Sequence, residues 1–248
     1  MNDISSSFLT AFALVMSLDG KLWEIVARSL WVSGVATFLA SSFGVLLGAW
    51  LAVVRFSGRG AVLALLNTML AIPSVVVGLL VYVMLSRSGP LGSLGWLFSV
   101  KAMVVAQTLL ILPIVVALTR QLIEDADMLH GEQLQSLGAG SFMRAVLHVW
   151  DERFAVLMVL LAAFGRAIAE VGAVMVVGGN IEGFTRVMTT AIALETSKGD
   201  LPLALGLGFV LLAAVLLLNG VVALVRQWVG TSSRSQVVKQ GTKPGVDV

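Results

Sequence analysis

No cysteine occurs in these 248 residues, and only 12 % of them are charged. The first absence excludes disulfides and thiolate metal sites. The second is far from the roughly 25 % of an average soluble domain, and with 58 % hydrophobic residues it excludes an ordinary soluble fold. Histidine is nearly missing too. His130 and His148 make no metal-ligand pattern, and their place in the most polar stretch predicts solvated side chains. A formal charge of +2 gives no footprint for nucleic acid. In a membrane chain, excess Lys and Arg sets topology instead. Asp3 and a serine run stand where a signal peptide would carry positive charge, so no cleavable signal is expected. No G-x-x-x-x-G-K-[ST] phosphate loop is found, so the chain carries no such site for nucleotide hydrolysis.

What is present is a set of long apolar stretches. Residues 29–54, 60–86, 102–119 and 201–225 are free of charge, and 154–178 carries only one charged pair. About 20 apolar residues cross a bilayer, so these predict five spans in an all-α integral membrane protein. Residues 8–18 are apolar but short, which predicts an interfacial helix within an N-terminal segment 1–28. The membrane domain then covers 29–229, with a polar loop at 120–153. A polar tail at 230–248 is expected to be disordered. Pro73 and Pro113 fall inside spans, where each removes a backbone hydrogen bond and favours a kink.

Loop charges orient the chain. Arg55, Arg59, Arg120, Arg144, Arg153, Arg226, Arg234, Lys239 and Lys243 fall on one side of a five-span chain. Lys21, Arg28, Arg87, Lys101, Arg186 and Lys198 fall on the other. The richer side is cytoplasmic by the positive-inside rule, which puts the N-terminus outside and the C-terminus inside.

Two places carry candidate function. Arg166 and Glu170 lie inside the fourth span, four residues apart, on one face of a continuous helix. An ionisable residue near a bilayer centre costs about 2.5–3.5 kcal/mol, so it faces protein or water. The pair reads either as a self-neutralised lock between helices or as a polar seam along a translocation path. Beyond it, Gly178, Gly179 and Asn180 end the span, and Thr185, Arg186, Thr189 and Thr190 follow. Exposed N–H groups, hydroxyls and one arginine suit a tetrahedral oxyanion, while an ordinary capped loop is the plainer alternative. In the polar loop, Leu122, Ala126, Leu129 and Gln133 have helical spacing. A second apolar pattern follows a break at Gly138 and Gly140. This predicts two short helices joined at a glycine hinge, with Ser141 capping the second. Such a pair either receives force from a soluble partner or lies on the membrane surface.

The run 132–151, EQLQSLGAGSFMRAVLHVWD, resembles the EAA loop of ABC importer permeases, E-A-A-x3-G followed by x9-I-x-L-P. Glu132 and Gly138 match. Gln133 and Leu134 stand for the alanines, His148 for isoleucine, and Trp150 and Asp151 for Leu-Pro. Residues 162–200 strengthen the likeness. FGRAIAEVGAV is similar to the molybdate permeases, and GGNI, TRVMTTAI and ETSKGD are similar to the tungstate permease subfamily.

The resemblance covers about residues 22–228. It implies a type I ABC importer permease fold in a bacterial or archaeal cytoplasmic membrane. It also implies a homodimer, two copies of a separate ATPase, and an extracytoplasmic binding protein that delivers tungstate. Glu132, Gln133, Leu134, Leu137, Gly138 and Ala139 would contact the ATPase, which itself would hold ATP and magnesium. No cofactor is expected in this chain, and it would not be an enzyme. Molybdate or sulfate is the alternative cargo. A proton-coupled carrier titrating Glu170, or a membrane enzyme, are readings from other classes. The enzyme reading lacks a His or Cys partner in the span.

Overall fold

The computed structural model describes residues 2–17 and 19–241. Among them are ten α-helices and no strand. Helix α1 is Asn2–Met16 and α2 is Gly20–Val53. Helix α3, Arg59–Ala71, meets α4, Ser74–Leu85, at a bend of 101°. A 3-10 turn at Gly92–Leu94 precedes α5, Val100–Ser136. Helices α6, Ser141–Asp151, and α7, Arg153–Ile168, follow. Helix α8, Gly172–Gly178, is bent by 57° from α7. Helices α9, Met188–Lys198, and α10, Leu201–Gly241, complete the chain.

Three of the five expected spans are single helices, and the other two are bent pairs that make up to five spans if each pair counts as one. Pro73 has no N–H to donate and disfavours helical backbone at Ile72, so α3 ends at Ala71 and α4 starts afresh at Ser74. Pro113 acts differently. Helix α5 runs through it unbroken, buried against its neighbours. The backbone does not break there as it does at Pro73, and α5 is closely packed on α2 at this point. In α2, Gly44 and Gly48 sit four apart. A Cβ at Gly44 would lie 2.8 Å from Val115 Cγ1, and one at Gly48 would lie 2.7 Å from the Val116 carbonyl. Small residues let two backbones approach where lipid supplies no hydrophobic drive between helices.

Three boundaries differ from the sequence reading. The first span begins at Gly20, because Asp19 accepts the Leu22 N–H at 3.0 Å and starts α2 nine residues earlier than residue 29. Residues 120–136 are no separate short helix. They continue α5, whose 37 residues reach about 55 Å, well past a hydrocarbon core of about 30 Å. The tail expected to be disordered is helical to Gly241, with no proline before Pro244 to stop it, and 242–248 lie outside the described residues.

Helix α1 is about 22 Å long by its 15 residues. It packs on the first half of α10, where Phe8 and Phe209 ring centres are 5.8 Å apart and Ala11 is fully buried. Core clusters then stack along α2 and α5. One, with Val32, Met103 and Val174, also takes in α4 and α8. Another, with Ala52, Ile123 and Ala145, fastens α6 to the far ends of α2 and α5.

Candidate coupling platform and intramembrane break

At its far end α5 closes in a Schellman turn. The Ala139 N–H reaches the Leu134 carbonyl at 2.9 Å and the Gly138 N–H reaches the Gln135 carbonyl at 2.9 Å. This turn needs left-handed backbone at Gly138, which has φ +84°. No atom lies within 4 Å of where a Gly138 Cβ would be, so the turn points into open space. Glu132 and Gln133 are exposed on the last helical turn, and Leu137 is 82 % exposed at its tip. Gly140, not Ser141, precedes α6. No side chain caps it, because Ser141 already lies in the helix.

Helix α6 is two-faced. Arg144, Ala145 and His148 are buried, while Phe142, Val146 and Trp150 are exposed at i, i+4 and i+8. His148 is thus not solvated as expected. The tight packing of α6 on α5 covers it, and its Nε2 donates to Asp127 Oδ1 at 3.1 Å. His130 is exposed, as expected. Nearby, Glu124 of α5 gathers Arg59 at 3.0 Å, Arg55 at 3.3 Å and Arg120. This ties the α2–α3 turn to the platform. Beneath the expected site, Asp127, Arg144 and His148 form a buried cluster that was not expected. The signal for them was a polar residue at 148, where the resembling motif is apolar.

The second region is the break between α7 and α8. Arg166 Nη1 donates to Glu170 Oε2 at 2.6 Å. The pair forms, but not along one helix face, because the helix ends at Ile168 and Glu170 sits in the gap. Glu170 is only 2 % exposed at its side chain, and Arg166 is 43 % exposed. Several groups freed by the gap find partners. Glu170 Oε1 accepts the Ala173 N–H at 3.1 Å at the start of α8. The Glu170 carbonyl accepts Thr189 Oγ1–H at 2.7 Å, and the Ala167 carbonyl accepts Gln107 Nε2–H at 3.0 Å. Broken helices survive in a membrane when neighbours take over the freed backbone in this way.

The two breaks meet. A Cβ at Gly172 would lie 2.6 Å from Val75 Cγ2, and one at Gly78 would lie 2.7 Å from Ala173 Cα. Beyond α8, Gly179 (φ +70°) and Asn180 (φ +49°) turn the chain. The expected oxyanion groups are turned inward here. Thr185 Oγ1 donates to the Gly178 carbonyl at 2.6 Å and accepts the Ile181 N–H at 2.9 Å. Thr190 Oγ1 accepts the Val187 N–H at 3.2 Å, and Asn180 Nδ2 donates to the Thr190 carbonyl at 3.2 Å. Arg186 Nη1 stands 3.4 Å from Glu182 and 3.5 Å from Glu195. These side chains build the loop as one unit. Of the named set, Arg166 keeps the most open cationic surface. Among the described residues no group of three or more His, Cys, Asp or Glu is placed to hold a metal.

Bent spans, a small-residue helix seam and a projecting platform define a multi-pass, all-helical membrane protein. The family described as binding-protein-dependent transport system inner membrane component matches residues 44–234, and the chain belongs to it. A permease of that family works with an ATPase and a substrate-binding protein in the inner membrane. Three relatives cover most of the chain. The tungstate uptake system permease protein TupB of Peptoclostridium acidaminophilum is 37 % identical over 90 % of this chain and 97 % of its own. A probable anion ABC transporter permease protein of Haloferax volcanii is 40 % identical over 83 % and 90 %. TupB of Campylobacter jejuni is 36 % identical over 87 % and 90 %. The molybdenum permease ModB of Escherichia coli is similar at a lower 31 %, over 75 % of this chain and 85 % of its own.

Proposed function

We propose that this chain is the membrane subunit of an ABC importer for tungstate, working as a homodimer with its N-terminus outside and its C-terminus in the cytoplasm. The observation that carries the reading is the platform at the end of α5. Its apolar tip and Schellman turn project from the spans with nothing on them, in a chain similar to tungstate permeases along most of its length. Glu132, Gln133, Leu134, Leu137, Gly138 and Ala139 receive the ATPase. The ATPase holds ATP and magnesium, so this subunit moves cargo and breaks no bond.

A tungstate dianion crosses along the face that Arg166 opens to. The guanidinium carries five N–H donors, and Glu170 occupies only part of that fork. Its charge is already partly neutralised, so it attracts a dianion without trapping it. Gly178, Gly179, Asn180, Thr185, Arg186, Thr189 and Thr190 frame the outer gate, and Thr189 ties that frame to the break at Glu170. When the ATPases close, the platforms approach, α5 tilts, and the two breaks yield.

The test is ATP-dependent uptake of labelled tungstate into proteoliposomes holding this chain, its ATPase and its binding protein. Tungstate competing well ahead of molybdate and sulfate is the expected result. Equal competition would make the chain a general oxyanion permease, the reading favoured by its likeness to the molybdenum permease.

A further inference from the structure

Under the docking loop lies a cluster that the transport reading leaves unused. Asp127 stands on the cytoplasmic part of α5, while Arg144 and His148 stand one turn apart on the buried face of α6. Both turn toward the same carboxylate oxygen. His148 Nε2 donates to Asp127 Oδ1 at 3.1 Å, and Arg144 Nε lies 3.6 Å from that oxygen. Their side chains are 3 % and 7 % exposed, and that of Asp127 is 18 % exposed. Gly131 makes the room, since a Cβ there would sit 2.6 Å from Asp127 Oδ1.

Two donors thus share one oxygen unequally: His148 is hydrogen-bonded to it, and Arg144 is held only as an ion pair. Nε and Nη1 of Arg144 are buried and reach no acceptor. A buried unpaired donor is costly, and the cost is higher when it is charged. At 3.6 Å the guanidinium stands just outside hydrogen-bond range. A slide of α6 along α5 by about 1 Å would bring Arg144 Nε into hydrogen-bond range of Asp127 and change the balance between the two donors. Two discrete arrangements of one contact are what an element needs to pass on a conformational change.

We propose that Asp127 is a positioning residue of the transport cycle. It is the latch through which α6 pulls α5, and His148 and Arg144 exchange on its Oδ1 between two states. The proposal rests on the reading of residues 132–139 as the ATPase-docking segment. The latch lies on the buried face of α6, apart from the exposed Leu137 and Phe142 that would meet the ATPase. Docking and latching are therefore separable.

The experiment uses the full chain with its ATPase and binding protein in proteoliposomes. It reads ATPase co-purification, ATP hydrolysis, and tungstate imported per ATP. In Asp127→Ala the ATPase still co-purifies and hydrolyses, while tungstate per ATP falls about two- to thirtyfold. His148→Gln and Arg144→Gln shift basal hydrolysis in opposite directions, because each leaves the other donor as the stronger partner of Asp127. A merely structural cluster would move both the same way. Unchanged import per ATP in Asp127→Ala, or equal-signed shifts in the two glutamine variants, would overturn the latch. If Asp127→Ala fails to assemble, the glutamine pair decides alone. Wild-type chain that captures the ATPase but imports no tungstate would sink the cargo reading, and the hydrolysis shifts would still judge the latch. Wild-type chain that captures no ATPase would sink docking and latch together.

Discussion

Arg166 and Glu170 stabilise each other unequally. Glu170 is enclosed and keeps the Ala173 N–H even without its arginine, whereas Arg166 is partly open to its surroundings. Arg166→Ala alone is expected to cost about 1.5–3 kcal/mol, the range for a hydrogen bond to a charged group. The double change with Glu170→Ala is expected to cost less than the sum of the single changes. A double-mutant cycle on thermal unfolding in detergent checks this, and strict additivity would show that the pair is not coupled. Gly138 makes a second residue-scale case. Gly138→Ala should cost about 1–2 kcal/mol through its left-handed backbone alone. Gly138→Arg should in addition lose the ATPase on co-purification while still inserting in the membrane, because its side chain fills open space in front of the turn. The pair and the glycine were both legible in the sequence, since a charge in an apolar run and a Gly after a helical pattern are local signals. Asp127 was not. Its meaning depends on His148 and Arg144, about 20 residues away and brought near only by the fold of α6 onto α5.

The two bent spans cross through backbone-close glycines. Adding one methyl in Gly78→Ala would press on Ala173 Cα at 2.7 Å, against backbone that has no rotamer to escape into. A loss of about 1–3 kcal/mol is expected, read as a lower unfolding temperature, with uptake falling alongside. Pro73 made one bend foreseeable. The other was hidden, because AFGRAIAEVGAV contains no proline and reads as unbroken helix. The gap at Glu170 exists because Gln107 and Thr189, distant in the chain, take up the carbonyls that it frees. At Pro113 the helix continues where α2 packs closely against it, so the proline alone did not fix where the helix would break.

For the molecule as a whole, the expected orientation is open to a direct check, and the absence of cysteine makes the background clean. Glu182→Cys, in the outer loop, should react with an impermeant maleimide on intact right-side-out cells. Leu137→Cys, at the platform tip, should react only after the membrane is opened. Labelling of Leu137→Cys from outside would invert the topology. Composition alone gave the membrane class and the count of five spans, because charge-free length is a global property. How far one helix continues past its apolar stretch was not visible, because that depends on what packs against it. That helix, α5, runs unbroken from Val100 to Ser136. Just before its first residue, the Phe98 N–H is bonded to the Val177 carbonyl at 3.0 Å. Its other end carries the platform. A rod tied at both ends gives the two sides of the membrane one shared coordinate, and equilibrium then makes their conversation symmetrical. By whatever factor a cargo-loaded protein docking outside tightens nucleotide binding inside, nucleotide must tighten that outside docking by the same factor.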